Sequence, residues 1–600
     1  NSLGRLWSEG HPDFDKSEWK YYLDEAPQEP QVAQQLAELR KGYAALTPED
    51  IKCIDPCMGS GHILAYLFDV LMQIYRSAGY TDRDAAASIV EHNLYGLDID
   101  DRAAQMAYFV VMMKGCQYDS RFLRRHLNPH VYAIQESGEL PQTAFGYCGP
   151  EEPTARTLWD TFRNAKEYGS ILQPKVTLEE LDKLEARLQE ADRMAGYGSL
   201  DVQGLTYQLL DVMCPLIDQA RMLVQKYDVV VTNPPYMGSS GMNAKLSDYI
   251  KKYYPDSKSD LFAVFIEHGN EMVKRAGFNC MVTMQSWMFL SSFEKMRVNA
   301  LQTKTITNLM HMENMVMGIA FGTAVTVFQN VAVHGYKGTY NQIKLQDIEN
   351  DVPKQFPVSG NRFAQVSTDN FSKIPGSPVA YWVSDAVMNC YSNRPIYDYA
   401  KPCKGIDTGD NNKFLRLWHE IDNEKVYIPS GDRCTVRTFE TYKWFPYNKG
   451  GNYRKWYGNN EYVLNWENNG SALRAYNGSN LRNKDKYFEE GITWSTVTSG
   501  NSSFRYFTYG YLFDNGGSCL FAVKHLKYIQ GMLNSIVSKS LLKLQPTLNT
   551  QPGTIGTLPL ILSEGHIQDI EYNVDECIQL AQSDWDSFET SWDFKKHPLV

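Results

Sequence analysis

Apolar residues in the first half of the chain gather into short strand-like runs separated by stretches of helical period. Residues 228–236 read DVVVTNPPY, with Val229 to Thr232 apolar or β-branched before two prolines. Such a run suits a buried parallel strand, and consecutive prolines cannot continue its ladder, so the strand is predicted to end at Asn233. Ile51–Ile54, Leu94–Leu97 and His130–Ile134 predict three more strands. Ile63–Tyr75 and, near the start, VAQQLAELRKGYAAL carry the spacing of amphipathic helices. Strands alternating with helices predict an α/β fold on a parallel sheet. From about 137 to 226 the pattern turns charged and helical, as in VTLEELDKLEARLQEADRMA, whose (i, i+4) charge pairs predict a helical insertion. Beyond 331, short β-like runs, Gly/Asn turns and many aromatics predict a second domain of mixed α+β structure.

The predicted strand ends carry the candidate chemistry, because open α/β sheets bind ligands at the carboxyl ends of their strands. Asp55 and Pro56 end the first strand, Gly59-Ser60-Gly61 form a turn, and His62 opens the helix. Glycines there let a ligand approach the backbone, which predicts a bound adenosyl cofactor. The Asp55 carboxylate either caps the turn or reaches the cofactor's amino group. Asp98, followed by Ile99, stands at the end of the second strand, where an acid accepts from both ribose hydroxyls. Asp100 and Asp101 start the next helix, where its dipole favours acids. Within the insertion, the Gly169-Ser170 turn either lines the adenine or is an ordinary turn. The loop Asn233-Pro234-Pro235-Tyr236 offers a carboxamide, backbone carbonyls and a ring. These suit a planar base with an exocyclic amine; the plainer role is a strand-ending turn with a structural Tyr.

Composition narrows the class. Six hundred residues, 43% hydrophobic and 22% charged, fit a globular protein of several domain-sized units. No apolar run approaches the roughly 20 residues of a membrane span. Eleven scattered cysteines without a CxxC predict a reducing compartment and no structural zinc. The net charge of −11 is uneven: about −11 over 1–330, about +7 over 331–560 and about −7 over the last forty residues. An acidic first half beside a mildly basic, Tyr- and Asn-rich second half fits a division between catalysis and DNA contact. In KWFPYNKGGNYRKWYGNNEY (443–462), Lys443, Arg454 and Lys455 are the candidate phosphate contacts; a solvated loop cluster is the alternative.

DPCMGSG, GLDID and NPPY, in that order and followed by a long C-terminal region, resemble motifs I, II and IV of the γ-class amino-group DNA methyltransferases. KSDLFAVFIEHG, containing Phe262, is similar to motif V, and IAFGTAVTVFQN, containing Phe321, to motif VIII. NSLGRLWSEGHP, AKEYGSIL, GIDTGDNNKFLRLW and, less narrowly, the closing LKLQPTLNTQPGTIGTLPL resemble the adenine-specific methyltransferases of the PglX type from BREX phage-defence systems. The resemblance implies a Rossmann-like class I methyltransferase sheet over 1–330, with the helical insertion at 137–226, and a target-recognition domain over 331–600. It implies S-adenosylmethionine held by Asp55, Pro56, Gly59, Ser60, Gly61, His62, Asp98, Ile99, Gly169, Ser170, Asn233 and Phe262, without a metal. Asn233, Pro234, Pro235 and Tyr236 are the implied catalytic loop, with Phe321 either on the second face of a flipped adenine or in ordinary core packing near a strand. Implied partners are double-stranded DNA, other BREX defence proteins and phage-encoded DNA-mimic inhibitors, in the bacterial cytoplasm and away from membranes. Opening at NSLGRLW without an initiator Met, the chain is expected to be a fragment whose preceding segment completes the cofactor pocket. N4-cytosine or protein-amide methylation, and a recruiting DNA-binding subunit, are the competing functions.

Overall fold

A computed structural model describes residues 1–600 except 198, 317, 499, 545–548, 598 and 600. The closing segment 542–560 therefore lies partly outside the described residues. The chain divides into two compact units, residues 1–372 with 376–382, and residues 373–375 with 383–600.

The first unit is built on the expected α/β sheet. Its strands are β1 (Cys53–Asp55), β2 (Leu94–Asp98), β3 (His130–Ala133), β4 (Tyr227–Thr232), β5 (Val273–Met284), β6 (Thr305–Met312), β7 (Thr323–Gln329) and β8 (Lys337–Ile343). A short hairpin, β9 (Ile348–Glu349) and β10 (Val352–Pro353), precedes β11 (Phe363–Ser367). The large sheet runs β11-β8-β6-β7-β5-β4-β1-β2-β3. Its β3-β2-β1-β4-β5 half is parallel, and β7 enters antiparallel between β5 and β6. Because β8 and β11 join the far edge of this sheet, the first unit reaches Trp382 instead of stopping at 330. The short strands after 331 were legible as β structure, but nothing in their pattern told which sheet they extend.

Helices α1 (Leu3–Gly10) and α2 (Pro30–Ala44) precede β1. Then α3 (His62–Ser77) and α5 (Asp101–Tyr118) follow β1 and β2, with α4 (Asp82–Ser88) between them. They bury an apolar cluster that includes Leu64, Phe68, Ala107 and Val111 against Ile51, Cys53 and Val229. The insertion supplies α6 (Glu152–Thr161), α7 (Ala165–Tyr168), α8 (Leu178–Ala195) and α9 (Leu200–Val224). Thr177 starts α8 with the capping box its TLEE sequence predicts. Leu181, Leu184 and Leu188, at helical spacing, join a second core with Leu209, Leu216, Phe262 and Trp287. After β4 come α10 (Ala244–Tyr253), α11 (Leu261–Met272) and α12 (Glu294–Thr303).

The second unit contains two four-stranded sheets. One orders β12 (Ala400–Cys403), β19 (Cys519–Ala522), β16 (Gly491–Thr493) and β17 (Arg505–Phe507); the other orders β13 (Leu415–Leu417), β15 (Tyr462–Asn465), β14 (Trp444–Asn448) and β18 (Leu512–Phe513). Aromatic side chains dominate its core, among them Phe445, Tyr447, Trp466, Phe507 and Phe513.

Candidate active site

The carboxyl ends of β1, β2 and β4 lie side by side, because β1 pairs in parallel with both neighbours. Asp55, the last residue of β1, is fully buried. Its Oδ1 accepts from the Thr232 hydroxyl at 2.7 Å and from the Cys57 N–H at 3.1 Å. Its Oδ2 is buried with no hydrogen-bond partner among the described residues. Burial, reinforced by the charge of Asp98, pushes the Asp55 carboxyl up to about 7 against the lowering effect of those two bonds. Of the two predicted roles, Oδ1 takes the turn-capping one, while Oδ2 makes no hydrogen bond among the described residues. Such a bare buried oxygen is costly, so it needs a reason to exist.

Asp98 closes the other side. Its Oδ2 accepts from the Gly59 N–H at 2.9 Å, and its Oδ1 from the Asp100 N–H at 2.9 Å. The same carboxylate that is expected to meet a ribose therefore also shapes the glycine turn. Gly59 has φ +52, and a Cβ there would meet open space; Gly61 has φ +86, and its Cβ would fall 2.9 Å from the Ala107 Cα. The two glycines serve different ends, one with open space beside it and one packing α3 on α5.

The insertion reaches these strand ends as well. The Ser170 hydroxyl donates to the Pro56 carbonyl at 2.5 Å, and a Cβ on Gly169 would lie 2.8 Å from Ile99 Cγ2. Ile99 keeps 53% of its surface exposed, an apolar face beside a polar turn. The Lys166 ammonium donates to the Ile99 carbonyl at 2.8 Å, fixing that corner. His62 begins α3 and is exposed. It lines an apolar cavity of about 650 Å³ with Ile63, Tyr66, Val231 and Val282; Asp55, Gly59 and Asp98 are not among its walls.

At the end of β4, Thr232 leads directly into the exposed Asn233. The Tyr236 hydroxyl lies 3.2 Å from Asn233 Oδ1 and 3.2 Å from the Val282 carbonyl, and its one hydrogen is divided between them. Phe262 is fully buried and meets Tyr236 edge-on, centroids 6.1 Å apart, so it supports the loop from beneath. Phe321 stands on another side of Tyr236 at 5.7 Å and 68°. A base stacked between two parallel rings needs roughly 7 Å between them, two carbon contact distances. The rings must part and rotate before one fits.

Two supports escaped the sequence reading. Asp260 caps α11 and accepts from the Met237 N–H at 3.1 Å and the Phe262 N–H at 3.3 Å, tying the prolines' far side to that helix. An Asp before an apolar run was a visible capping signal, but its second bond, across 23 residues, was not. His311, buried on β6, bonds the Gln285 side chain through Nε2 and the Tyr381 hydroxyl through Nδ1 at 3.1 Å. Gln285 packs on Gly322, whose Cβ would fall 2.5 Å from it, beside Phe321. Burial lowers the His311 imidazole to about 4, so it is neutral at physiological pH.

In the second unit the three candidate phosphate contacts are already engaged. Lys443 pairs with Glu467 at 2.8 Å, and Arg454 pairs with Asp584 at 2.9 Å while lying over Trp585. Lys455 Nζ donates to the Asn534 carbonyl at 2.7 Å. Part of the stretch 443–462 is the buried strand β14 and not a solvated loop.

Residues 92–316 match the family described as Eco57I restriction-modification methylase. The whole chain aligns with two curated proteins. It is 37% identical to "Adenine-specific methyltransferase BrxX" of Escherichia coli O9:H4 (strain HS), covering 51% of that protein. It is 36% identical to "Adenine-specific methyltransferase PglX" of Lacticaseibacillus casei (strain Zhang), covering 52%. The chain is thus similar along its whole length to two proteins named adenine-specific methyltransferases. It spans about half the length of these curated relatives. Among solved structures, the Type IIL restriction-modification enzyme MmeI in complex with DNA aligns over 100% of this chain and 76% of its own, at 11% identity and a TM-score of 0.48.

Proposed function

We propose that the chain transfers a methyl group from S-adenosylmethionine to N6 of an adenine flipped out of double-stranded DNA, as host self-marking within a BREX phage-defence system. One observation carries the reading. The Thr232–Asp55 hydrogen bond joins a cation-accepting cradle on β1 to an amine-accepting loop on β4, and these strands are neighbours. The two half-sites are thus one strand spacing apart, about 4.8 Å.

The residues fit the cofactor. Asp55 Oδ2 is a buried, unpartnered acceptor for its amino group, and Asp98 keeps acceptor capacity for the ribose beside the Gly59 N–H. Open space before Gly59 and the exposed face of Ile99 leave room for the nucleoside. When bound, S-adenosylmethionine would supply an electrophilic methyl group on a sulfonium; the S–CH3 bond breaks to leave the neutral thioether S-adenosylhomocysteine, and the methylated N6 loses one proton to water.

Adenine N6 is a weak nucleophile, because its lone pair is delocalised into the ring. Asn233 Oδ1 and the Pro234 carbonyl accept its two hydrogens and favour a pyramidal nitrogen whose lone pair points away from them. The Tyr236 hydroxyl holds Asn233 Oδ1 in place and leaves the carboxamide oxygen a free lone pair. Flipping costs a few kcal/mol, and the Tyr236 ring offsets part of it once Phe321 gives way. Such preorganised contacts are worth roughly 10²–10³ each in rate, by comparison with oxyanion-hole donors. Sequencing with modified-base detection, on DNA from cells with and without the gene, tests the reading. It requires N6-methyladenine within a fixed sequence context that vanishes with the gene, and an unchanged methylation map refutes it.

A further inference from the structure

The second unit has a concave site that the sequence did not signal. A cavity of about 330 Å³ is lined by Lys455, Lys539 and Lys543, by Tyr453, and by amides and hydroxyls including Asn501 and Ser502. No carboxylate lines it among the described residues, in a chain whose net charge is −11. Lys539 and Lys543 are exposed and four residues apart, the second at the end of the helix Ile536–Leu542. Neither has an acidic partner among the described residues, although Lys443, Arg454 and Lys527 of the same unit each have one. Two like charges one turn apart, on a wall that holds no carboxylate among the described residues, favour an anion supplied from outside.

Tyr453, 59% exposed, stands at the same cavity, so the wall combines cations, amides and a ring. Lys455 is held with its ammonium on the Asn534 carbonyl, which places a third positive charge in the wall while leaving the two helix lysines as the free donors. Cations that neutralise phosphates, beside amides and an aromatic, make the chemistry of a nucleic-acid backbone contact.

We propose that this cavity is a phosphate-backbone contact for DNA, made by Lys539 and Lys543 instead of the paired cations of 443–455. The inference rests on the reading of the chain as a DNA methyltransferase. Phosphate contacts are independent of sequence, so a random duplex of about 30 base pairs serves as probe for the whole 600-residue chain. Each phosphate neutralised adds about 0.9 to the slope of log affinity against log salt. The Lys539→Ala/Lys543→Ala double variant is expected to flatten that slope by close to two. Its loss of affinity between 50 and 200 mM salt should then be about 12-fold smaller than that of the parent chain. Lys539→Arg/Lys543→Arg should keep the parental slope, and Lys425→Ala, elsewhere on the same unit, should leave it alone. Unchanged cofactor affinity in each variant shows that the first unit is intact. A double variant with the parental slope overturns the cavity's role while DNA binding itself stands. Equal flattening by Lys425→Ala overturns it too, because a diffuse field would then account for the effect. A parent chain that binds duplex DNA without salt dependence overturns both this inference and the DNA reading.

Discussion

Replacing Asp55 by Asn should make the protein more stable and less able to bind its cofactor. The folded carboxyl keeps its proton up to about pH 7, whereas an unfolded Asp loses it near 3.9. Between those values the folded chain binds more protons than the unfolded one, so this residue's contribution to stability falls as pH rises from about 4 to 7. Three units correspond to about 4 kcal/mol at pH 8, and full burial leaves little solvent to screen it. Asn removes the charge and keeps an acceptor for Thr232 and Cys57, but its amide points an unpaired donor where Oδ2 stood. That costs about 1–3 kcal/mol, leaving a net gain of about 1–3 kcal/mol. Cofactor affinity should fall roughly 10- to 150-fold, the worth of one hydrogen bond to a charged group. Denaturant melts at pH 5 and pH 8, with calorimetric titration of S-adenosylmethionine, measure both effects. An Asp55→Asn variant that is destabilised at pH 8, or that binds cofactor like the parent, refutes the role given to Oδ2.

Two further substitutions separate neighbouring roles. Tyr236→Phe removes the hydroxyl that holds Asn233 and should slow single-turnover transfer roughly 2- to 12-fold, the worth of one neutral hydrogen bond. Tyr236→Ala loses stacking of about 1–3 kcal/mol and, unlike the Phe variant, should be partly rescued by a mispaired target adenine; equal behaviour on paired and mispaired DNA contradicts this. Asp98→Ala removes the ribose acceptor and frees the Gly59 turn, so cofactor binding should weaken by at least 1.5 kcal/mol, about tenfold, while DNA affinity stays. Unchanged calorimetric affinity removes Asp98 from the site.

Elements with a local signature were readable in the sequence. The double proline ended β4 after Thr232, the Gly-Ser-Gly turn opened α3 at His62, and Asp100 capped α5. Gly169-Ser170 was legible only as a turn; nothing in its local pattern told that Ser170 would bond the Pro56 carbonyl, 114 positions away. Pairings across the fold left no trace. Nothing around Thr232 marks Asp55, 177 positions away, as its partner, and His311 reads as one more strand residue until Gln285 and Tyr381 surround it. Charge was the least informative signal. Counting cations favoured Arg454 and Lys455, but whether a cation is free depends on which carboxylate or carbonyl folds against it, here Asp584 and Asn534.

Asn233 bears the central claim. Asn233→Ala deletes the acceptor that prepares N6 and leaves Asp55, Asp98, the glycine turn and the second unit untouched. The direct test is single-turnover transfer of radiolabelled methyl from S-adenosylmethionine to duplex DNA, followed by digestion to nucleosides. The parent protein should place the label in N6-methyl-2′-deoxyadenosine, and Asn233→Ala should bind cofactor and DNA normally yet transfer at least two decades more slowly. Label in N4-methylcytosine, or transfer by Asn233→Ala at the parental rate, would contradict the mechanism.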